Sequence, residues 1–274
     1  MTTIPDSRYV HGTDPREQQR LTLLNQIFNE RCLAAIRVRA GERALDVGSG
    51  LGQLTRGIAR AAGAGRVVGV ERSAEQIAEA QRQARADGEE GLVEFRRGDA
   101  LALPLRDDEL ASFDLAHARF VLEHVPDPAR VVEQMARAVR PGGRVVLADD
   151  DHDIIRLWPE PPMWPALIGT YCRTYDRLGN DPYVGRRLVW LLGKAGLRPS
   201  RCELLWFGAC AGESHYDAAI RNMVGILVGA RGAMTAPGLL DPREFDDALA
   251  HLNSWSQRSD AALWYAIPLA EGVR

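Results

Sequence analysis

Between residues 149 and 153 the chain reads Asp-Asp-Asp-His-Asp, four carboxylates around one imidazole, directly after the apolar run Val145-Val146-Leu147-Ala148. Such side chains can ligate a divalent cation, remove a proton from a bound molecule, or form a solvated turn. If extended backbone continues through the stretch, alternation sends Asp149, Asp151 and Asp153 to one side and Asp150 and His152 to the other. The five residues then cannot all serve one centre. A second set of ionisable groups, His117, Glu123 and His124, falls within "FDLAHARFVLEH". The candidate acid–base groups are therefore His117, His124, Asp149 and His152.

A third constellation is glycine-rich. "ALDVGSGLGQL" places Asp46, Gly48, Gly50 and Gly52 at the end of an apolar run. Missing side chains there let a ligand approach backbone N–H groups at the positive end of a following helix. A dinucleotide fingerprint needs a glycine where this chain has Gln53, so that pattern is not met. Glu71 follows Gly48 by 23 residues, where a carboxylate can accept from a ribose diol. Asp99, in "RGDALALP", is suited to an exocyclic adenine amine.

These groups need strand ends to hold them, and the first half of the chain supplies the pattern. "RALDVG", "RVVGVE", "VEFRRGDA", "SFDLAHAR" and "RVVLAD" read as strands separated by helical segments, the signature of a parallel sheet with crossover helices. Ser73 with Gln76 forms a capping-box start, and "DPARVVEQMARAVRPGG" begins with proline in its first turn and stops at Pro-Gly-Gly. Beyond residue 150 the periodicity loosens. "WPEPPMWP" cannot be helix interior, a helix is expected over about 166–178, and another in "VGRRLVWLLGKAGL". "SRCELLWFGAC" and "AALWYAIPLA" read as strands around a mostly helical 214–258.

The D-x-G-x-G-x-G at 46–52, the strand-end Glu71, the Gly-Asp-Ala at 98–100 and "FDLAHARFVLEHVPDPARVVEQMARAVRPGGRVVL" resemble class I S-adenosylmethionine-dependent methyltransferases. The likeness is specific over about 40–150. It implies an α/β, Rossmann-like seven-stranded sheet of order 3-2-1-4-5-7-6, with strand seven antiparallel and a helical lid. It also implies S-adenosyl-L-methionine as cofactor. By resemblance, Gly48, Ser49 and Gly50 meet its methionine part with Gln53 beside them. Glu71 binds the ribose, flanked by Arg72 and Gln76. Asp99 and Ala100 meet the adenine, while His117, Ala118 and Arg119 line the cofactor beneath the sulfonium. Tyr9, in "YVHG", matches an aromatic residue that covers the cofactor in small-molecule members.

On that frame 1–40 form N-terminal lid helices, 41–150 the cofactor-binding core, and 151–182 with 211–258 the acceptor lid. All six tryptophans fall after residue 150. Trp158, Trp164, Tyr171 and Tyr175 are candidate acceptor contacts, the two tyrosines on one helical face. Rings favour a flat, apolar or cationic acceptor, a small aromatic or amine-containing metabolite methylated on O, N or C.

Some members of catechol type hold Mg²⁺ with ligands that include an acid after strand four. Here that region, "LAHARFVLEH", lacks the aspartate, so a metal-independent site is expected. Asp149 and His152 are the favoured pair to orient or deprotonate the acceptor.

A formal charge of −3 gives no electrostatic footprint for nucleic acid or anionic membrane. A nucleic-acid or protein methyltransferase is further disfavoured because "HARF" stands where an amine-binding Asn-Pro-Pro-Tyr would. A cofactor-binding protein without turnover is the other alternative. No run of about 18 uncharged apolar residues and no apolar leader is seen, so a cytoplasmic monomer or homodimer is expected. The four cysteines contain no Cys-x-x-Cys pair.

Overall fold

The structure, a computed structural model, describes residues 15–274. Tyr9 lies outside the described residues. The chain runs α1 (Pro15–Ile36), β1 (Ala44–Val47), α2 (Gln53–Ala62), β2 (Val67–Glu71), α3 (Ala74–Ala86), β3 (Val93–Arg97), β4 (Phe113–Arg119), α4 (Pro128–Ala138) and β5 (Val139–Ala148). It continues with β6 (Arg156–Trp158), α5 (Trp164–Leu178), α6 (Leu188–Lys194), β7 (Arg198–Cys210), α7 (Tyr216–Gly229), α8 (Arg231–Met234), α9 (Pro242–Ser256) and β8 (Ala262–Val273). Helix starts follow their caps. The Ser73 hydroxyl accepts from the Gln76 N–H, and Asp127 accepts from the Arg130 N–H ahead of Pro128.

β3, β2, β1, β4 and β5 lie side by side in parallel. β8 is antiparallel to β5 through its C-terminal half and antiparallel to β7 along its whole length. Counting β7 as sixth and β8 as seventh, this is the expected 3-2-1-4-5-7-6 order. The short β6 is an addition to it. It pairs with the first residues of β8, on the edge that β5 occupies further along.

Every residue of β1 is buried, as fits a strand covered on both faces. One core, with α4 and α6, holds Leu45, Val47, Ala116 and Leu192. The other brings α1, α2, α5, α7 and α9 together over the opposite face through Phe28, Ile58, Tyr171, Met223 and Phe245. The segments over 164–178 and 216–256 thus pack with α1 above the carboxyl ends of the strands. Among the described residues no helix is long and apolar enough to cross a membrane.

Candidate active site

The loop between β1 and α2 is built so that backbone, not side chain, faces a cavity of about 540 Å³ at the strand ends. Gly48 has φ +72°, and a Cβ there would stand 2.3 Å from Val121 Cγ2. Gly50, at φ +53°, donates its N–H to Glu71 Oε2 at 3.0 Å. Glu71 Oε1 accepts from the N–H groups of Arg72 (2.7 Å) and Ser73 (2.9 Å). Burial pushes the Glu71 carboxyl up, opposed by those three N–H donors. Ser49 Oγ and one guanidinium nitrogen of Arg119, Nη1, are buried without a partner. Orphaned donors beside a cavity are what a polar ligand satisfies.

Gly48, Ser49, Gly50, Glu71, Arg72, Gln76, Asp99, Ala100 and Arg119 all line this cavity. Asp99 is turned partly to its own turn, accepting from the Leu101 N–H at 2.9 Å. Arg119 is held by Asn25 and Asn29 at 2.6 and 2.9 Å, which ties α1 to the end of β4.

Three expected cofactor contacts are not at the cavity wall. Gln53 turns to α3, donating to Gln83 Oε1 at 2.8 Å. Ala118 faces the α4 and α6 core. His117, 1% exposed, pairs directly across the sheet with Asp46, and its Nδ1 stands 2.7 Å from Asp46 Oδ1. Asp46 also accepts from the Thr55 hydroxyl at 2.5 Å. His117 therefore braces the glycine loop from below, which corrects both its expected catalytic place and its expected cofactor contact.

Past β5 the chain reaches Asp151, which caps a 3₁₀ turn over His152–Ile154, its carboxylate accepting from the Asp153 N–H. Asp149, fully buried, accepts from the N–H groups of Val121 (3.0 Å), Leu122 (2.8 Å) and Glu123 (3.3 Å). It holds the turn after β4 and is committed there, so the favoured catalytic reading of Asp149 is corrected to a positioning one. Asp151 and Asp153 are both bound by Arg186, at 2.6 Å each. Asp150 and His152 point the other way, into the cavity.

There they meet the turn after β4. Glu123, 3% exposed, has Oε2 at 3.2 Å from His152 Nε2 and Oε1 at 3.4 Å from His124 Nε2. Tyr265, from β8, donates to Asp150. Tyr171 and Tyr175 share a 2.7 Å hydroxyl contact, and both ring edges meet the His152 ring, while Tyr175 stacks on His124 at 5.7 Å.

Burial works to raise Glu123, but the charges of His124 and His152 and the Tyr175 hydroxyl outweigh it and hold the carboxyl at about 2. His152 is lowered by burial and raised more by Asp150 and Glu123, to about 9. Burial and the Glu123 charge lift Asp150 to about 7. Burial drives His124 down, and keeps Tyr171, Tyr175 and Tyr265 protonated as donors.

A second cavity, of about 450 Å³, lies beyond this cluster between α1, α5, α7 and the β7–β8 ribbon. Its wall is apolar, with Phe28, Ile168, Phe207, Met223, Leu227 and Leu263. Asp150, His152, Tyr171 and Phe120 belong to both cavities. Of the rings expected to meet an acceptor, Trp164 and Tyr171 line the second cavity and Tyr175 the first. Trp158 does neither, being 69% exposed on the outer face of β6. Phe28, Phe207 and Tyr265 were not foreseen. The signal for Tyr265 lay in the alternation of "AALWYAIPLA", which puts residues 263, 265 and 267 on the covered face.

A parallel sheet with one antiparallel strand, a glycine loop after β1 and acids after β2 and β3 define a class I S-adenosylmethionine-dependent methyltransferase fold. Residues 45–147 match the family described as a methyltransferase domain, and this core belongs to that family. Methyltransferase GfsG of Streptomyces halstedii is 37% identical over 194 residues, covering 69% of this chain and 64% of that protein. The 27-O-demethylrifamycin SV methyltransferase of Amycolatopsis mediterranei is 36% identical over 140 residues, covering 51% and 50%. The chain thus spans about half to two thirds of such relatives. A crystal structure of a methyltransferase from Aquifex aeolicus shares the fold at TM-score 0.52 and 20% identity, over 70% of this chain and 92% of that one.

The family's cofactor is S-adenosylmethionine, and the residues present fit it. The cradle at Gly48 admits no Cβ, Ser49 Oγ lacks a partner, and Glu71 stands at the end of β2.

Proposed function

We propose that the protein methylates a hydroxyl oxygen of a small molecule with an aromatic or otherwise apolar body, using S-adenosylmethionine. The observation that carries this is the wall shared by the two cavities, where Asp150, His152 and Tyr171 face both. When bound, the cofactor supplies a methyl group on a sulfonium leaving group. Glu71 accepts from its ribose, Asp99 and Ala100 meet its adenine, and Ser49 and Arg119 offer polar atoms to its amino-acid end. α1 and the helices over 164–178 and 216–256 serve as the lid, excluding water and fixing the acceptor against the shared wall.

Oxygen is favoured over nitrogen or carbon because that wall carries a carboxyl, an imidazole and a phenol, all hydrogen-bond partners for a hydroxyl. His124 stands on the cofactor side of the cluster, while Asp150 and His152 orient the acceptor. The relative that acts on demethylrifamycin, named for an O-position, agrees with an oxygen acceptor.

The test is incubation with methyl-labelled cofactor and a panel of phenols, apolar alcohols and amines, alongside calorimetric cofactor binding. Label is expected in hydroxyl-bearing apolar compounds. Label in amines alone would overturn the oxygen reading, and cofactor binding with no transfer to any pool would leave a binding protein.

A further inference from the structure

We infer that Glu123, Asp150 and His152 form a binding site for one divalent cation at the junction of the two cavities. The spacing in sequence spoke against a metal because no aspartate follows β4. In the fold Glu123, carried by the turn Leu122–His124, supplies the missing carboxylate. One ligand atom from each of the three residues lies within 4.8 Å of the others. Ligands about 2.1 Å from a common octahedral ion stand about 3.0 Å apart when adjacent and about 4.2 Å apart when opposite. The 3.2 Å between Glu123 Oε2 and His152 Nε2 is close to an adjacent pair, so the cluster needs a small inward adjustment to close on an ion.

Charge points the same way. Asp151 and Asp153 are met by the Arg186 guanidinium, whereas the side-chain hydrogen bonds to Glu123 and Asp150 come from an imidazole, from phenols and from each other's carboxyl group. Two carboxylates and an imidazole that releases its proton as the ion binds match a dication in charge and form a mixed O,O,N donor set. His152 Nδ1, on a residue 5% exposed, has no partner either, so the imidazole is not fully committed to the protein. The remaining coordination positions open onto the two cavities, as a working site requires. Asp149 plays the supporting part, since its hydrogen bonds to residues 121–123 fix where Glu123 stands. An acceptor hydroxyl bound to such an ion becomes more acidic.

The cation can be measured without cofactor or acceptor, so this inference fails or stands apart from the methyl-transfer reading. The full chain is stripped with chelator, dialysed and titrated with Mn²⁺, with free ion followed by electron paramagnetic resonance. Mn²⁺ is used because the exposed Cys202 and Cys210 would compete for Zn²⁺. One ion per chain is expected, with affinity at least about 10-fold weaker in Glu123→Gln and in His152→Ala. In the unmodified protein the bound ion should broaden the His152 and His124 ring resonances ahead of those of His215 and His251, a reading that needs no variant. Absence of saturable binding, or binding that both substitutions leave unchanged in folded protein, would overturn the site.

Discussion

The molecule buries two groups of carboxylates and treats them in opposite ways. At the amino end of the sheet Glu109, fully buried, is gripped by Arg96 through two contacts of 2.6 and 2.8 Å and by Arg106 at 2.6 Å, with Arg43 and Arg66 at 3.4 Å. At the carboxyl end the buried Glu123 and the half-buried Asp150 receive imidazole and phenol instead of guanidinium. Four arginines saturate the first group and leave it nothing to bind. The second lies open to two cavities and keeps capacity for a ligand. Burial alone therefore does not mark a functional acid. What marks it is burial beside groups that can give up a proton or a hydrogen bond, with no guanidinium fixed on it.

The largest effect should separate the two groups by activity. His152→Ala is expected to lower methyl transfer about 10²-fold, the range for misplacing a bound acceptor, with cofactor affinity kept. Glu109→Gln should leave the rate per folded molecule unchanged. Steady-state kinetics on both variants decide this. An equal loss in Glu109→Gln would erase the distinction.

Stability should separate them in the reverse sense. Glu109→Ala removes the carboxylate that Arg96 and Arg106 share, but Arg106 stays open to water and Arg96 keeps Glu94, so a cost of about 1.5–3 kcal/mol in denaturant unfolding is expected. Acid sharpens the point. The Arg96 guanidinium, helped by the Arg106 N–H, holds Glu109 at about 2, below the ordinary 4.5. The folded state thus binds this proton less readily than the unfolded chain. The stabilisation is complete above about pH 4.5 and is lost as pH falls towards 2. Unfolding free energies of the unmodified protein and Glu109→Gln should converge between pH 5 and pH 3. A constant gap would mean that the anion is not the source.

How legible each group was in the sequence follows from the range of its contacts. The glycine loop, Glu71 and Asp99 could be placed on the cavity wall from sequence because each sits at a strand end among a few neighbouring residues. His117 and Asp149 were assigned to chemistry because their types suit it. Their partners, Asp46 on the neighbouring β1 and residues 121–123 in the turn after the neighbouring β4, become visible only once the strand order and register are known. The Tyr265 contact to Asp150 spans 115 residues, and the Arg96 contacts to Glu109 close over an irregular loop whose Gly-Asp-Ala at 98–100 gives no sign of them. The parallel βαβ core was legible in its alternation, whereas the full sheet order was what the resemblance to class I methyltransferases implied. The extra β6 was not legible, because three residues inside a proline-rich stretch carry no strand pattern.

The smallest expected effect tests the acceptor cavity itself. Trp158 and Trp164 are six residues apart and look interchangeable in the sequence, yet one is 69% exposed and the other 4%. Trp158→Ala removes a ring that touches neither cavity and should change acceptor KM and stability by no more than about 0.5 kcal/mol equivalent. Trp164→Phe keeps an apolar ring but removes part of the wall near Ile168 and Tyr171. The lost contact is of the order of a methylene or two, so acceptor KM should rise by roughly 10-fold with the cofactor's KM unmoved. If instead Trp158→Ala raises the acceptor KM while Trp164→Phe does not, the acceptor enters over the outer face of β6, and the apolar cavity is packing space.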